Sequence, residues 1–403
     1  MSQSIAKIFR DLDKPLLIIT LVGFIFGLLT IVTASSRAAV VNYDVSIYYY
    51  FFKQLSFIII GLIIAFFILT TKTEKYRKIV PLLYILLLTL NIVAWQSDVV
   101  KGSNNWIDLK FTKIQPSELS KPIIIAMLAI MFEKYYRKLR TKNISHTEII
   151  GKILIIAFAI PAVVFLQKDF GTLLIILLIV FTMLLASPIL KIEKLKYAVF
   201  LLCLSIAALA VYTITSGEIL NDARKSRFSS WFDPCGQYET GGYQVCNSFI
   251  AINDGGLTGL GIGKSKQKYS YIPEPHTDSA FAIIAEEYGV IGCTFIFIGY
   301  TLIIWRIISI SSNASTIRGR YMCLGIATYI FAHILINMGG LFGIMPLTGV
   351  PLPFFSYGGS FVISLIAGFA IVQRVNIETK NQKIKINQHQ SWFFFDIKKE
   401  IKH

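Results

Sequence analysis

Asp278 stands at the mouth of an apolar stretch, in the segment Tyr271-Ile-Pro-Glu-Pro-His-Thr-Asp-Ser-Ala-Phe-Ala-Ile-Ile-Ala-Glu-Glu-Tyr-Gly289. Glu286 and Glu287 lie about two helical turns further in. Charge at membrane depth is costly, so acids in such a stretch are read first as functional. At 100° per residue, Glu286 sits roughly 80° around a helix from Asp278, and Glu287 roughly opposite it. Asp278 alone is then placed to meet both a bound molecule and water, as a general base must be. The two glutamates are expected to pair with neighbouring helices. A helix N-cap is the competing role for Asp278.

Three more polar clusters fall on the same side of the apolar stretches. In Gln115-Pro-Ser-Glu-Leu-Ser-Lys121, Glu118 and Lys121 are three apart, share one helix face and can pair. That pair is either a structural bridge at a helix end or a device that orients a phosphate. Lys168 and Asp169 occupy the tight turn Gln167-Lys-Asp-Phe-Gly-Thr172, as substrate contacts or as solvated turn residues. Arg224 and Arg227, in Asn221-Asp-Ala-Arg-Lys-Ser-Arg-Phe228, face one way on a short helix and present forked donors to phosphate oxygens or lipid headgroups. The segment Gly255-Gly-Leu-Thr-Gly-Leu-Gly-Ile-Gly263 supplies backbone freedom. With no strand before it, it is not a nucleotide-binding fingerprint.

The elements that must position these groups are membrane helices. Apolar residues make up 55% of the 403-residue chain, and the mean hydropathy is +0.63, outside the range of soluble domains. An all-α, polytopic architecture of about ten spans follows: Pro15–Ala34, Gln54–Leu69, Val80–Ala94, Pro116–Phe132, Ile153–Leu166, Phe170–Ala186, Tyr197–Ile214, Asp278–Trp305, Tyr321–Gly339 and Gly359–Val372. The first is too long for a signal-peptide core and is read as retained. The net charge of +16 excludes nothing by itself, but its distribution argues against nucleic acid. Lys72, Lys75, Arg77 and Lys78, then Lys134 to Lys142, Lys191 to Lys196 and Arg306 to Arg320 fill alternate short loops. That places both termini in the cytoplasm. One transmembrane domain over 1–376 is expected, with a large extracytoplasmic loop at 215–277 between helices 7 and 8. A polar cytoplasmic tail follows at 377–403. The uncharged, proline-bearing stretch Leu341 to Gly359 is expected to dip back into the protein.

Of five cysteines, Cys203, Cys293 and Cys323 lie in spans and read as small apolar residues. Cys235 and Cys246 share the large loop, as a disulfide on an oxidising face or as two free thiols. No Cys/His spacing suggests zinc.

Taken together and in order, Gln115-Pro-Ser-Glu-Leu-Ser-Lys121, the Gly255–Gly263 run, Pro273-Glu-Pro-His-Thr-Asp278 and Pro351-Leu-Pro-Phe-Phe-Ser-Tyr-Gly-Gly-Ser360 resemble the SEDS family (shape, elongation, division and sporulation), which includes FtsW, RodA and SpoVE. The resemblance runs from about Asp11 to Asn376. Gly263-Lys-Ser-Lys-Gln-Lys-Tyr looks more like the division and sporulation branch than the RodA branch. It implies an inverting peptidoglycan glycosyltransferase of the bacterial cytoplasmic membrane. Such an enzyme polymerises lipid II, the undecaprenyl-diphosphate-linked disaccharide-pentapeptide. The implied partners are a class B penicillin-binding protein and other divisome or elongasome membrane proteins. It implies Asp278 as the catalytic residue, with Glu118, Lys121 and Arg224 around it. Arg227, Lys168, Asp169, Glu274, His276, Ser356 and Ser360 complete the candidate substrate contacts. A divalent cation, Mg or Mn, could clamp the diphosphate, although only scattered acids offer ligands.

The chain departs from the family pattern at four places. Asn105 stands where a basic residue is usual near Trp106, Lys168 where Pro is usual, Ser279-Ala-Phe281 in place of Phe-Ile-Phe, and Phe361 in place of a second Ser. Lys168 is the candidate replacement for the missing cation. A lipid II flippase and a non-catalytic scaffold for a penicillin-binding protein are the alternatives. The one-sided placement of the polar clusters speaks against transport. A two-carboxylate hydrolase using Glu274 and Asp278 is weaker, because that needs carboxyls on either side of a sugar.

Overall fold

The computed structural model describes residues 5–42, 44–99, 102–109, 112–140, 146–187, 231–236, 238, 242–269, 272 and 275–400. The expected span Tyr197–Ile214, and Arg224, Arg227 and Glu274, lie outside the described residues. Among those described, the other nine apolar stretches are all helical. In chain order the helices are α1 (Ile5–Asp11), α2 (Lys14–Arg37), α3 (Tyr49–Thr70), α4 (Tyr76–Trp95), α5 (Pro116–Arg140), α6 (His146–Leu166), α7 (Phe170–Ala186), α8 (Tyr243–Asp254), α9 (Ala280–Ser312), α10 (Ile317–Leu341) and α11 (Gly359–Glu400). A small hairpin, β1 (Ile107–Asp108) and β2 (Lys113–Ile114), sits between α4 and α5.

Among the described residues six helices, α2, α3, α4, α9, α10 and α11, are long and apolar enough to cross a membrane, and α6 and α7 are shorter apolar helices. α5 is buried almost all round, so protein rather than lipid surrounds its charged residues. It packs between α4, α10 and α11, while α3 lies along α11 and α9 along α10. The most apolar windows of α10 and α11 are 83% and 89% buried, against 17% for α9. α5, α10 and α11 are therefore the centre, and α9 turns most of its apolar surface outward.

The stretch after α10 does re-enter the protein. Val350, Leu352, Phe354 and Phe355 are buried. Gly23 and Gly27, one turn apart on α2, make room for it: a Cβ on Gly27 would lie 2.1 Å from the Phe354 carbonyl oxygen. Tyr300 donates its hydroxyl to the Pro353 carbonyl at 2.6 Å.

α9 is broken at Gly289, whose φ of 65° is left-handed. The glycine-rich segment fills the break. The Val290 and Ile291 amides donate to the Gly256 and Leu257 carbonyls, and the Leu260 and Gly261 amides donate to the Glu286 and Glu287 carbonyls. A Cβ on Gly289 would meet the Gly259 nitrogen at 2.4 Å. The partners of Glu286 and Glu287 are thus in this segment and its continuation, not on neighbouring helices as expected. The Glu286 carboxylate accepts from Ser265 Oγ and from the Lys266 and Gln267 amides, and Glu287 pairs with buried Lys268 at 3.2 Å. Fixed carboxylates beside backbone amides replace the water that a membrane-depth loop lacks.

At the other end of the bundle charges are knitted together. Glu133 of α5 takes Arg77 at 2.9 Å, Arg137 at 3.2 Å and Arg318 at 2.7 Å. α11 runs on through the 376/377 boundary expected for the tail, because Ile377 is buried against Ile8 and Leu12. Asp13 caps α2 through the Leu16 amide at 3.1 Å and accepts from Arg306 through both carboxylate oxygens, Nε to Oδ1 at 2.9 Å and Oδ2 at 3.1 Å and Nη2 to Oδ2 at 2.6 Å. Burial pushes its carboxyl up, but Arg306, the Leu16 amide and Lys380 outweigh that and hold it below the usual range. A depressed carboxyl stabilises the fold above its unfolded pKa of 3.8, and the contribution disappears as pH falls through the folded value. Asp13→Asn is expected to cost about 1–3 kcal/mol near neutral pH. It should also flatten the acid-side fall of the melting temperature, read by thermal unfolding in detergent at several pH values. An unchanged acid limb would remove Asp13 from that role.

Candidate active site

Asp278 lies in the turn 275–279 that leads into α9. Ser279 holds the N-cap position and makes no side-chain cap hydrogen bond. The Asp278 Oδ1 accepts from Thr277 Oγ1 at 3.1 Å and from Gln244 Nε2 at 3.2 Å. Gln244 is the second residue of α8, which packs on α9, and it also donates to Ser279 Oγ at 2.9 Å. The Cys235–Cys246 disulfide is formed and fixes the start of α8, two residues from Gln244. Oδ2 faces the re-entrant loop at Gly349, where an added Cβ would lie 3.9 Å away. The backbone carbonyl of Asp278 accepts from Asn337 of α10 at 2.8 Å.

Glu118 and Lys121 do pair, at 2.6 Å, and both are buried. Lys121 also reaches His333 Nε2 at 3.0 Å, and His333 Nδ1 meets the Pro351 carbonyl at 3.0 Å. A carbonyl cannot donate and an ammonium cannot accept, so Nδ1 carries the proton and Nε2 accepts. Pro351 is two residues beyond Gly349. One chain of contacts therefore runs from Glu118 through His333 and the re-entrant loop to the face of Asp278.

Asp169 caps α7 through the Thr172 amide at 3.1 Å. Its Oδ2 accepts from Asn105 at 2.6 Å and Gln115 at 2.8 Å. Asn105 is buried as a neutral donor to Asp169. Lys168 beside it is exposed, with φ of 62°, a conformation closed to proline. Ser360 Oγ accepts from the Gln115 amide at 2.9 Å and Ser364 Oγ donates to the Glu118 carbonyl at 2.8 Å, so α11 holds the start of α5. Ser356 Oγ accepts from the Leu352 amide at 2.8 Å inside the re-entrant loop. His276 is buried, with its ring 4.2 Å from that of Tyr50, and its carbonyl accepts from the Tyr357 amide at 2.8 Å.

The N-termini of α5, α7, α9 and α11 thus gather at one end of the molecule. Helix N-termini carry partial positive charge, which favours an anionic group held there. Among the described residues no three His, Cys, Asp or Glu side chains cluster to hold a metal ion, so no step is assigned to a cation. His333 and Asn337 were missed in the sequence reading. Their signal was two polar residues four apart inside the apolar span Tyr321–Gly339.

The sequence profile of the FtsW–RodA–SpoVE family, described as "Cell cycle protein", matches residues 14–381. The chain is 31% identical over 367 residues to the stage V sporulation protein E of Bacillus subtilis (strain 168), covering 90% of this chain and 96% of that one. It is 32% identical over 392 residues to the probable peptidoglycan glycosyltransferase FtsW of the same organism, covering 94% of each. It is 31% identical over 379 residues to the peptidoglycan glycosyltransferase MrdB of Escherichia coli (strain K12), covering 93% and 96%. Among solved structures, a chain from work titled "Structural coordination of polymerization and crosslinking by a peptidoglycan synthase complex" matches with a TM-score of 0.68 and 23% identity, over 91% of this chain and 97% of that one. The rod shape determining protein RodA of Thermus thermophilus matches at 0.64 and 21%, over 91% and 96%. These two likenesses establish the fold.

Proposed function

This chain belongs to the FtsW–RodA–SpoVE cell cycle protein family, and from that premise we propose that it polymerises lipid II with Asp278 as the general base. It is a multi-pass membrane protein and a peptidoglycan glycosyltransferase. The observation that carries the mechanistic reading is the Asp278 carboxylate, held through Oδ1 by Thr277 and Gln244 with Oδ2 facing the re-entrant loop at Gly349.

The acceptor is the 4-hydroxyl of a GlcNAc unit, whose pKa lies far above 7, so its attack on the anomeric carbon needs a base. Asp278 takes that proton while the bond to the lipid diphosphate breaks, which inverts the anomeric centre. Negative charge then grows on the leaving diphosphate. The helix N-termini, with Arg224 and Arg227, favour that charge, most strongly where water is excluded. Glu118 and Lys121 act from within the protein by holding His333 and the loop that faces Asp278. Lys168, exposed at the same end, contacts the donor diphosphate. Lys168→Ala is accordingly expected to raise KM for lipid II several-fold with little change in kcat. An unchanged KM would remove Lys168 from donor binding.

The basic end of the bundle faces the cytoplasm, with both termini, and Asp278 faces outward across the bacterial inner membrane. A class B penicillin-binding protein is the partner, alongside other divisome or elongasome proteins. The structural relative of the same fold comes from a peptidoglycan synthase complex that coordinates polymerization and crosslinking, and a transpeptidase partner would supply the crosslinking here.

The test is polymerisation of labelled lipid II by purified protein, with and without its cognate penicillin-binding protein. Glycan chains that lengthen with time support the reading. Translocation of lipid II without polymer, from folded protein with its partner present, would replace it with a flippase.

A further inference from the structure

We propose that Asn337 is a positioning residue for Asp278, an inference that rests on reading Asp278 as the base. Asn337 lies on α10, one turn beyond His333, and is buried. Its Nδ2 donates to the Asp278 carbonyl at 2.8 Å and to the Val350 carbonyl at 2.7 Å. An amide nitrogen has two hydrogens, and both are used. Both partners are carbonyl oxygens, so turning the amide over would set oxygen against oxygen. The orientation follows from the partners.

The two carbonyls belong to the two segments that face each other across the site. One carries the Asp278 carboxylate. The other carries Gly349, next to Val350, and approaches Oδ2. Gly349 has φ of 74°, so the loop makes that approach in a conformation that suits glycine. One side chain therefore sets the separation between the base and the wall before it. His333 steadies the same loop one residue further on, through the Pro351 carbonyl at 3.0 Å. Gln244 and Thr277 orient the carboxylate itself, and Asn337 fixes the peptide from which it projects. The acceptor hydroxyl must meet a base held in near-attack geometry, and a displacement of about 1 Å costs about 10²-fold in rate.

The experiment compares Asn337→Leu, Asn337→Asp and Asp278→Ala with the double variant Asn337→Leu/Asp278→Ala, in the full chain with its partner. Asn337→Leu keeps the shape and removes both donors. It should lower kcat by about 10²-fold while KM for lipid II stays within about twofold. Asn337→Asp, which has no donor when ionised and one when protonated, should fall well below wild type. The double variant should be no slower than Asp278→Ala alone, because Asn337 acts only through Asp278. A further loss in the double variant would mark a general structural role and overturn the proposal. So would a kcat at the wild-type level for Asn337→Leu while Asp278→Ala is inactive, an outcome that leaves the base reading standing. Polymer at the wild-type rate from Asp278→Ala would overturn both. Melting temperature and partner binding, measured on each variant, separate loss of fold from loss of rate. If Asn337→Leu does not fold, the Asn337→Asp rate decides.

Discussion

Asp278→Asn is expected to lower glycan polymerisation by about 10²- to 10⁴-fold, the range that a positioned general base supplies. The substitution isolates basicity. An asparagine carbonyl in place of Oδ1 still accepts from Thr277 and Gln244, which hold that oxygen at 3.1 and 3.2 Å. Its amide takes the place of Oδ2 and cannot accept a proton. The turn before α9, the Asn337 contact to the backbone and the packing of α8 are retained, so the melting temperature and partner binding should match wild type. The rate is read as labelled lipid II converted to polymer at early times. More than about a tenth of wild-type activity in the folded variant would take the base role away from Asp278, since catalysis by a base is worth at least ~10².

The second large effect is on stability. Lys121→Met leaves the Glu118 carboxylate buried without its cation, and Glu118→Gln leaves the Lys121 ammonium without its anion. Lys121 and Glu118 are 0% and 2% exposed, and one Glu118 oxygen has no hydrogen-bond partner among the described residues even in the intact pair. Removing one member of a buried pair costs about 3–5 kcal/mol. Removing both, as Glu118→Gln/Lys121→Met, leaves two neutral side chains of similar size and should recover much of that loss. Unfolding temperature in detergent and yield from the membrane report the difference. Single variants as stable as wild type, or a double variant no better than either single, would contradict a buried, coupled pair. The singles should also lose polymerisation, because His333 and the loop at Pro351 are held through Lys121.

What could be read from the sequence was local. Glu118 and Lys121 three apart predict their own pairing, and the structure closes it at 2.6 Å. The prolines and absence of charge in Leu341 to Gly359 predict a stretch that shuns water, and its second half is buried at Val350, Leu352, Phe354, Phe355 and Ser356, while Phe342 and Ile344 stay exposed. The spacing of the apolar stretches predicts the spans because 20 residues are needed to cross about 30 Å. What could not be read depends on distant partners. Asn337 meets Asp278, 59 residues away, and nothing around it in sequence announces that. The hydroxyls of Ser356 and Ser360 look available in the sequence, yet backbone amides of Leu352 and Gln115 use them. Gly289 within an apolar helical pattern looks tolerable as a packing residue. Its left-handed backbone is revealed only when the Gly255–Gly263 segment is brought alongside. The expectation that Glu286 and Glu287 pair across helices fails because the segment that fills the break at Gly289 continues into Ser265, Lys266, Gln267 and Lys268, which reach the two carboxylates first.

That discontinuity has a mechanical meaning. A helix carries torque along its axis only as far as its hydrogen-bond ladder is unbroken. On either side of Gly289 the ladder passes to another segment: Val290 and Ile291 donate to Gly256 and Leu257, and the carbonyls of Glu286 and Glu287 accept from Leu260 and Gly261. The outward-facing length of α9 beyond the break, with Phe295, Ile298, Leu302 and Trp305 exposed, is a lever working in lipid. The short piece from Ala280 to Tyr288 is a separate lever clamped to a loop. Hydrogen bonds from residues 255–263 therefore join the two arms in place of an unbroken helical ladder, and Asp278 leads into the short arm, apart from the length of α9 that faces outward.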